Sequence, residues 1–429
     1  MEDYFVVEGG SHNDADTMFR KVMSDILSSP VAKGVNTGSA RIQQDTNEGL
    51  GYSIVLSNPL DRIISNDAYK LDLPVAVARF VWMISGNNRL ADIKFYQKQV
   101  ENFSDDGIIV PGSSYGARIR QAFPGIDQLQ GVIDKLKADS NSRRAAISIY
   151  QPTDATRESK DVPCAFGMFF HIRDGALHTQ VVMRSNNATV LLPFNIFEFS
   201  MLGEVIASEC GVVLGPFKHY AASMHVYESA REWSQKIADD AGAKLSSQMQ
   251  HMPASPLDEI RKLVQFEAEM RHRSEAISDA TIADWIKQIQ DEFSVYWQQF
   301  AYLLLVTPAR RKCSDDGLEE LRSAMDSELA NIVDWRSQAD EGTDEEAFSA
   351  ASLLSVENEN IVLFHQTRTS KSLQEHILKR EQTTGDRLPT KVVFGLQEHF
   401  TEKLAAQRDD VDISSAEFEK AVSDTTEQS

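Results

Sequence analysis

Five short motifs carry residue types that can do covalent, ionic and base-recognising chemistry. Pro163-Cys164-Ala165 follows a polar loop and leads into a strongly apolar run, so the thiol stands at a strand entrance facing a cleft. A thiolate there would be a nucleophile, whereas a lone cysteine beside apolar residues also serves as a small buried hydrophobe. Arg184-Ser185 ends another apolar run and offers a forked cation beside a hydroxyl, a pairing suited to a phosphate monoester or, more plainly, to a surface strand end. In Pro193-Phe194-Asn195 the amide of Asn195 both donates and accepts, as the edge of a pyrimidine requires, although Asn is also a favoured helix cap. Ser142-Arg143-Arg144 sets two adjacent cations pointing apart, for a ligand or for solvent. His225 and Tyr227 lie two apart, hence on one face of a strand, where they can hold a sugar hydroxyl or sit as satisfied core groups.

The elements that must position these residues read as an α+β arrangement. Ala145–Tyr150 and Gly167–Ile172 have the β-branched and aromatic character of strands, and Arg173-Asp174-Gly175 marks a turn. Helical patterns run over Leu73–Ser85, Ile126–Ala138 and Ile196–Cys210, the last closed by Gly211. From about Ala230 the apolar residues recur three and four apart, around Ile260, Leu263, Val264 and Phe266 and then from Ile282 to Leu305, predicting a nearly all-helical second part. Two regions follow, 1–229 and 230–429, with loops at 342–346 and 383–386 and an acidic, frayed end over 409–429.

A chain of 429 residues with 42% hydrophobic residues is long enough for a large core with an appendage, or for two domains. No run approaches the roughly 18 to 20 apolar residues of a membrane helix, and the start is acidic, so a cytoplasmic location without membrane contact is expected. Three scattered cysteines, Cys164, Cys210 and Cys313, suit neither a disulfide framework nor a paired zinc site, and no metal is expected. A formal charge of −21 disfavours a nucleic-acid footprint, while a few local arginines can still hold one phosphate.

Tyr115-Gly116, Ser142-Arg143-Arg144, Pro163-Cys164, Arg184-Ser185, Pro193-Phe194-Asn195 and His225-Val226-Tyr227, in this order and spacing, resemble thymidylate synthase and its relative deoxycytidylate hydroxymethylase over about 150 residues. The resemblance implies a three-layer mixed-sheet domain, here followed by the helical extension. It also implies a transferase in which Cys164 adds to C6 of a pyrimidine nucleoside monophosphate and C5 then attacks a one-carbon unit, methyl or hydroxymethyl, drawn from 5,10-methylenetetrahydrofolate. Tyr115 would line the ring pocket and Asn195 would read the base, its amide favouring a deoxyuridylate-like substrate. Arg184 and Ser185 would hold the phosphate and Arg184 would favour the thiolate of Cys164. Arg143 and Arg144 would reach in from the second subunit of a homodimer, His225 and Tyr227 would grip the sugar, and Trp82 and Asn187 would face the folate.

The departures from the family pattern cluster on the one-carbon side. A glutamate that moves protons at the pyrimidine carbonyl is replaced by Arg79, which cannot serve as a base at neutral pH. Ala165 stands for a histidine, Asn187 for the pterin-binding aspartate, Leu191 for a glycine, and Ala221-Ala222-Ser223 for Gly-Gly-Asp. The phosphate-loop arginine falls on Asn36, with Lys33 and Arg41 as substitutes, and Glu198 or Glu204 could replace the lost carboxylate. Two other readings follow: C5 chemistry without folate, or a nucleotide-binding module that does not turn over.

Overall fold

The computed structural model describes residues 9–36, 43–122, 125–242, 244 and 248–336, so the expected loops at 342–346 and 383–386 and the tail 409–429 lie outside the described residues. The chain opens with β1 (Ser11–His12) and α1 (Ala15–Leu27), whose first turn is capped by Asp14 accepting from the Thr17 N–H at 2.7 Å. β2 (Val31–Asn36) and β3 (Gln43–Leu56) follow, then α2 (Leu73–Ile84), started by Asp72 and Pro74. Short helices α3 (Leu90–Lys94) and α4 (Tyr115–Arg120) lead to α5 (Gln128–Ala138). The strands β4 (Ala146–Ser148), β5 (Ala165–Arg173), β6 (Ala176–Met183) and β7 (Asn186–Asn187) precede α6 (Leu192–Cys210) and β8 (Val213–Tyr227). The rest is helical: α7 (Arg231–Asp239), α8 (Leu257–His272), α9 (Ile282–Glu292), α10 (Val295–Lys312), α11 (Asp315–Ala324) and α12 (Ser327–Ile332).

The fold is thus α+β with a helical C-terminal region, and its sheet is mixed, in the order β1-β3-β8-β6-β5-β4, with β2 paired to β3 and β7 to β8. β8 runs antiparallel to β3 and parallel to β6, while β5 and β6 form a hairpin across Asp174 and Gly175, both at positive φ as its two-residue turn demands. One face of the sheet is covered by α6. That helix is buried continuously from Leu192 to Ala207, which suits its all-round apolar sequence, and Gly203 lets it close on β6, where a Cβ would stand 2.5 Å from Thr179 Oγ1. α2 packs on α6, and α8 and α10 pack on α2, so the layers run from sheet to α6 to α2 and outward. Among the described residues the other face is uncovered at this edge: Phe166 and Phe169 of β5 are 51% and 42% exposed, and Ala146 and Ser148 of β4 are exposed beside them.

The described residues of Met1–Arg120 and Asp127–Leu353 form one compact unit, in which the helices beyond Ala230 and the sheet share a hydrophobic core; Gln121–Ile126 belongs to a second unit. Several element ends differ from the sequence reading. α5 starts at Gln128 because Asp127 caps it, accepting from the Gln130 N–H at 3.1 Å. The strand expected over Ala145–Tyr150 pairs only at Ala146–Ser148, and α6 begins four residues before Ile196, with Pro193 in its first turn. The periodic run Ile282–Leu305 breaks where Phe293 and Ser294 turn extended, dividing it into α9 and α10.

Candidate active site

Cys164 stands immediately before β5, half-buried, and its neighbours are set by two loops and a strand end. Arg184, just past β6, takes the Cys164 carbonyl with its backbone N–H at 2.8 Å. Its guanidinium then folds back onto the same loop, Nε donating to Pro163 O and Nη2 to Val162 O, each at 2.8 Å. Nη2 also reaches the Cys164 Sγ at 3.7 Å, which leaves Nη1 of this exposed arginine for an anion. Asp161 organises the loop from below: it is buried and accepts from the Gly112 and Ser113 N–H groups at 2.7 and 2.6 Å and from Ser113 Oγ at 2.6 Å.

Electrostatically Arg184 favours the Cys164 thiolate, as expected, but its pull is outweighed. Burial raises the thiol above its ordinary range, Arg184 draws it back only in part, and the Asp161 carboxylate raises it further. Tyr115, the first residue of α4, faces the same centre. Its ring stacks on Phe199 of α6 at 5.6 Å, and burial together with the charges of Cys164, Glu198 and Asp161 pushes its phenol well above the usual value, with Arg79 pulling the other way. Gly116 makes this placement possible, since a Cβ there would come within 2.1 Å of the Met83 carbonyl of α2.

Arg79 and Glu198 meet directly. The Arg79 Nε donates to Glu198 Oε1, its Nη1 to Gln97 Oε1 at 3.2 Å, and the guanidinium lies over the Phe194 ring, 5.2 Å from its centroid. Burial raises the Glu198 carboxyl and Arg79 lowers it. Of the two glutamates considered as a replacement base, Glu198 therefore belongs to this cluster. Glu204 is spent elsewhere, pairing with buried Arg62 and accepting from the Met252 N–H at 2.8 Å.

Asn195 is buried in the second turn of α6 rather than at its cap, which is Leu191. Its Oδ1 accepts from Asn186 Nδ2 at 2.9 Å, and Asn186 Oδ1 in turn meets His219 Nε2 at 2.9 Å. Asn186 and His219 were not singled out from the sequence; Asn186 lay inside the Arg184–Asn195 stretch, but nothing local marks His219. His225 and Tyr227 do share a face, with ring centroids 4.8 Å apart, and burial keeps His225 neutral by lowering it to about 4. The charge of Arg184 is also felt at His225, which ties the sugar-side pair to the phosphate-side cation.

Ser185 is half-buried next to Arg184. Arg143 and Arg144 precede β4, exposed, with neither guanidinium bonded within the described residues, so the structure does not bring them to Cys164 of their own chain. Lys33 pairs with Asp45 at 2.6 Å, and Arg41 lies outside the described residues. On the expected folate side, Trp82 is buried in an apolar cluster with Leu90, Ile93, Val100 and Val110. Asn187 spends both lone pairs of its Oδ1 on the N–H groups of Thr189 and Val190, each at 3.1 Å. Among the described residues no group of three His, Cys, Asp or Glu could hold a metal, and no helix is long and apolar enough to cross a membrane.

The site thus places a cysteine at a strand entrance, an arginine at its sulfur and a buried asparagine on the helix that covers a mixed sheet, and comparison with known proteins identifies the class. The family model for thymidylate synthase matches residues 23–285, well over half of the chain, and the chain belongs to that family. Among curated proteins it is similar to a deoxyuridylate hydroxymethyltransferase of Bacillus phage SP01, with 30% identity over 209 residues, covering 46% of this chain and 52% of that protein. It is likewise similar to a deoxyuridylate hydroxymethyltransferase of Pseudomonas phage M6, with 33% identity over 162 residues, covering 37% of this chain and 46% of that protein. The matches span about half the length of these relatives.

Proposed function

We propose that the protein transfers a one-carbon unit to C5 of a pyrimidine deoxynucleoside monophosphate, deoxyuridylate being the favoured substrate and hydroxymethyl the favoured product over methyl. The observation that carries this reading is Cys164 with the Arg184 Nη2 at 3.7 Å from its sulfur, in a family whose chemistry runs through a cysteine at that place. The names of the two phage relatives support deoxyuridylate and the hydroxymethyl product.

In the proposed reaction the Cys164 thiolate adds to C6 of the base, the electron pair moves to C5, and C5 attacks a carbon at the formaldehyde oxidation level. The bond from that carbon to its donor would break, the donor leaving with the electron pair and taking a proton, and the oxygen of water takes its place to complete a hydroxymethyl group; loss of the C5 proton and expulsion of the thiolate then restore the ring. Nη1 of Arg184 and the Ser185 hydroxyl hold the phosphate, and His225 and Tyr227 the sugar. Glu198, kept in place by Arg79, handles protons at the base in place of the missing glutamate, a role worth roughly 10²- to 10⁴-fold in rate. A folate carrier would supply the one-carbon unit, but the residues expected to hold it do not fit. A pterin offers N–H donors, and Asn187 has no lone pair left to accept them while Trp82 is enclosed. No step is therefore routed through that carrier.

A homodimer completes the site in this reading. The sheet face with Phe166 and Phe169 is an apolar surface that no described residue covers, and Arg143 and Arg144 are exposed where they could reach a partner. Incubating the protein with deoxyuridylate or deoxycytidylate and either methylenetetrahydrofolate or free formaldehyde as the one-carbon donor, and following nucleotide mass, tests the proposal: a gain of CH2O on deoxyuridylate with at least one donor is expected. Absence of any mass gain on either nucleotide would overturn it. A second reading, a nucleotide sensor without turnover, is favoured by the raised Cys164 thiol; nucleotide binding retained in Cys164→Ala, with no turnover by the wild type, would support it.

A further inference from the structure

His219, Asn186 and Asn195 form a chain of three buried side chains, 0%, 1% and 3% exposed, leading from the middle of β8 to the base-reading residue on α6. We infer that His219 and Asn186 are positioning residues that fix the Asn195 amide in the orientation that pairs with uracil and rejects cytosine. This deepens the proposed function and rests on the reading that Asn195 meets the base.

The argument is one of donors and acceptors. An amide pairs with uracil by accepting from N3–H and donating to O4, and with cytosine by donating to N3 and accepting from the N4 amino group. The two differ by a half-turn of the amide. An asparagine free to rotate would therefore discriminate poorly, and whatever fixes the rotation fixes the base.

Here the Asn195 Oδ1 accepts from the Asn186 Nδ2 at 2.9 Å, which leaves one oxygen lone pair and the Nδ2 donors for a ligand; Nδ2 has no acceptor among the described residues. Asn186 is itself fixed because its Oδ1 meets His219 Nε2 at 2.9 Å. The direction of the whole chain depends on which ring nitrogen of His219 carries the proton. Among the described residues His219 Nδ1 has no partner, so a proton there would be an orphaned buried donor, whereas on Nε2 it has an acceptor waiting. Burial lowers His219 to about 4, so the ring is neutral at pH 7 and has one proton to place. With that proton on Nε2, donation runs His219 to Asn186 to Asn195. Reversing any single link leaves a buried donor facing a donor or an acceptor facing an acceptor.

Asn186→Asp tests this by reversing the last link. An aspartate can only accept, so it would still take the His219 Nε2–H but would now take Asn195 Nδ2–H as well, turning the amide about. The ratio of the Kd for deoxycytidylate to that for deoxyuridylate, measured by calorimetry, is expected to fall at least tenfold from its wild-type value. A ratio within twofold of wild type in a folded Asn186→Asp protein would overturn the inference. Should that variant fail to fold, His219→Gln and His219→Phe decide: the glutamine amide can still donate to Asn186 and should retain the ratio, the phenylalanine should lower it, and equal ratios would overturn the inference. Asn195→Ala separates this from the underlying reading. If it leaves both affinities unchanged, Asn195 does not meet the base and the reading itself fails; if it abolishes discrimination while Asn186→Asp does not, only the relay fails.

Discussion

Cys164 lies between opposing influences, a guanidinium at its sulfur and an apolar surround with a carboxylate behind it, and burial prevails. In the free protein its thiol should therefore remain mostly protonated at neutral pH. Alkylation by iodoacetamide, mapped to Cys164 by peptide mass, is expected to keep rising past pH 9 rather than level off below it. Because Arg184 lowers the thiol, Arg184→Gln should slow the labelling at any fixed pH in that range; unchanged labelling would contradict the assigned role of the cation. A bound substrate that displaces water and brings C6 to the sulfur would find a thiol whose activation belongs to the complex. Glu198 poses the complementary case of a buried carboxylate held by a single cation. Arg79→Met leaves that charge unpaired and should cost about 3–5 kcal/mol in chemical denaturation, whereas adding Glu198→Gln should recover most of it. The sign with pH follows from the raised carboxyl: a folded state that holds the Glu198 proton more tightly than the unfolded chain loses stability as pH rises above the ordinary carboxylate range. Without Arg79 to lower it, that loss should be larger and extend to higher pH. A flat stability profile for Arg79→Met would count against the pair.

At the scale of elements, the site depends on close approaches more than on any one motif. α4 can present Tyr115 only because Gly116 lies against the Met83 carbonyl of α2. Gly116→Ala should therefore destabilise the fold by about 1–3 kcal/mol and lower nucleotide affinity as Tyr115 moves; a melting temperature and affinity equal to wild type would contradict this packing. The same scale shows what could be read from sequence. Pro163-Cys164, Arg184-Ser185 and Pro193-Phe194-Asn195 were legible because each is a local string at an element boundary, and α2, α6 and the β5–β6 turn were legible from periodicity, Asp174-Gly175 and the Gly211 cap. The Arg79–Glu198 pair joins residues 119 apart in sequence, and the His219–Asn186 contact joins residues 33 apart through strand pairings that no local pattern specifies. The break between α9 and α10 was hidden because the apolar spacing carries on through Ser294 while the backbone does not.

For the whole molecule, the sheet supplies an argument of its own. Among the described residues the sheet is covered by α6 on one face and presents Phe166 and Phe169 on the other, and in the proposed homodimer a second copy covers that face. If the proposed dimer forms through this face, Phe166→Glu with Phe169→Glu should yield a monomer by light scattering and abolish turnover, because Arg143 and Arg144 would no longer reach a partner's site. Mixing inactive Cys164→Ala subunits with subunits carrying Arg143→Ala and Arg144→Ala should restore part of the activity, since one of the mixed sites is then complete; no restoration with confirmed mixed dimers would refute the shared site.

The central claim is that Cys164 bonds to C6 of a pyrimidine nucleotide. Intact-protein mass spectrometry after incubation with 5-fluorodeoxyuridylate, with and without methylenetetrahydrofolate, tests it most directly. The expected result is a covalent nucleotide adduct mapped to Cys164 and absent from Cys164→Ser. Nucleotide binding to the wild type without any covalent adduct under either condition would contradict it.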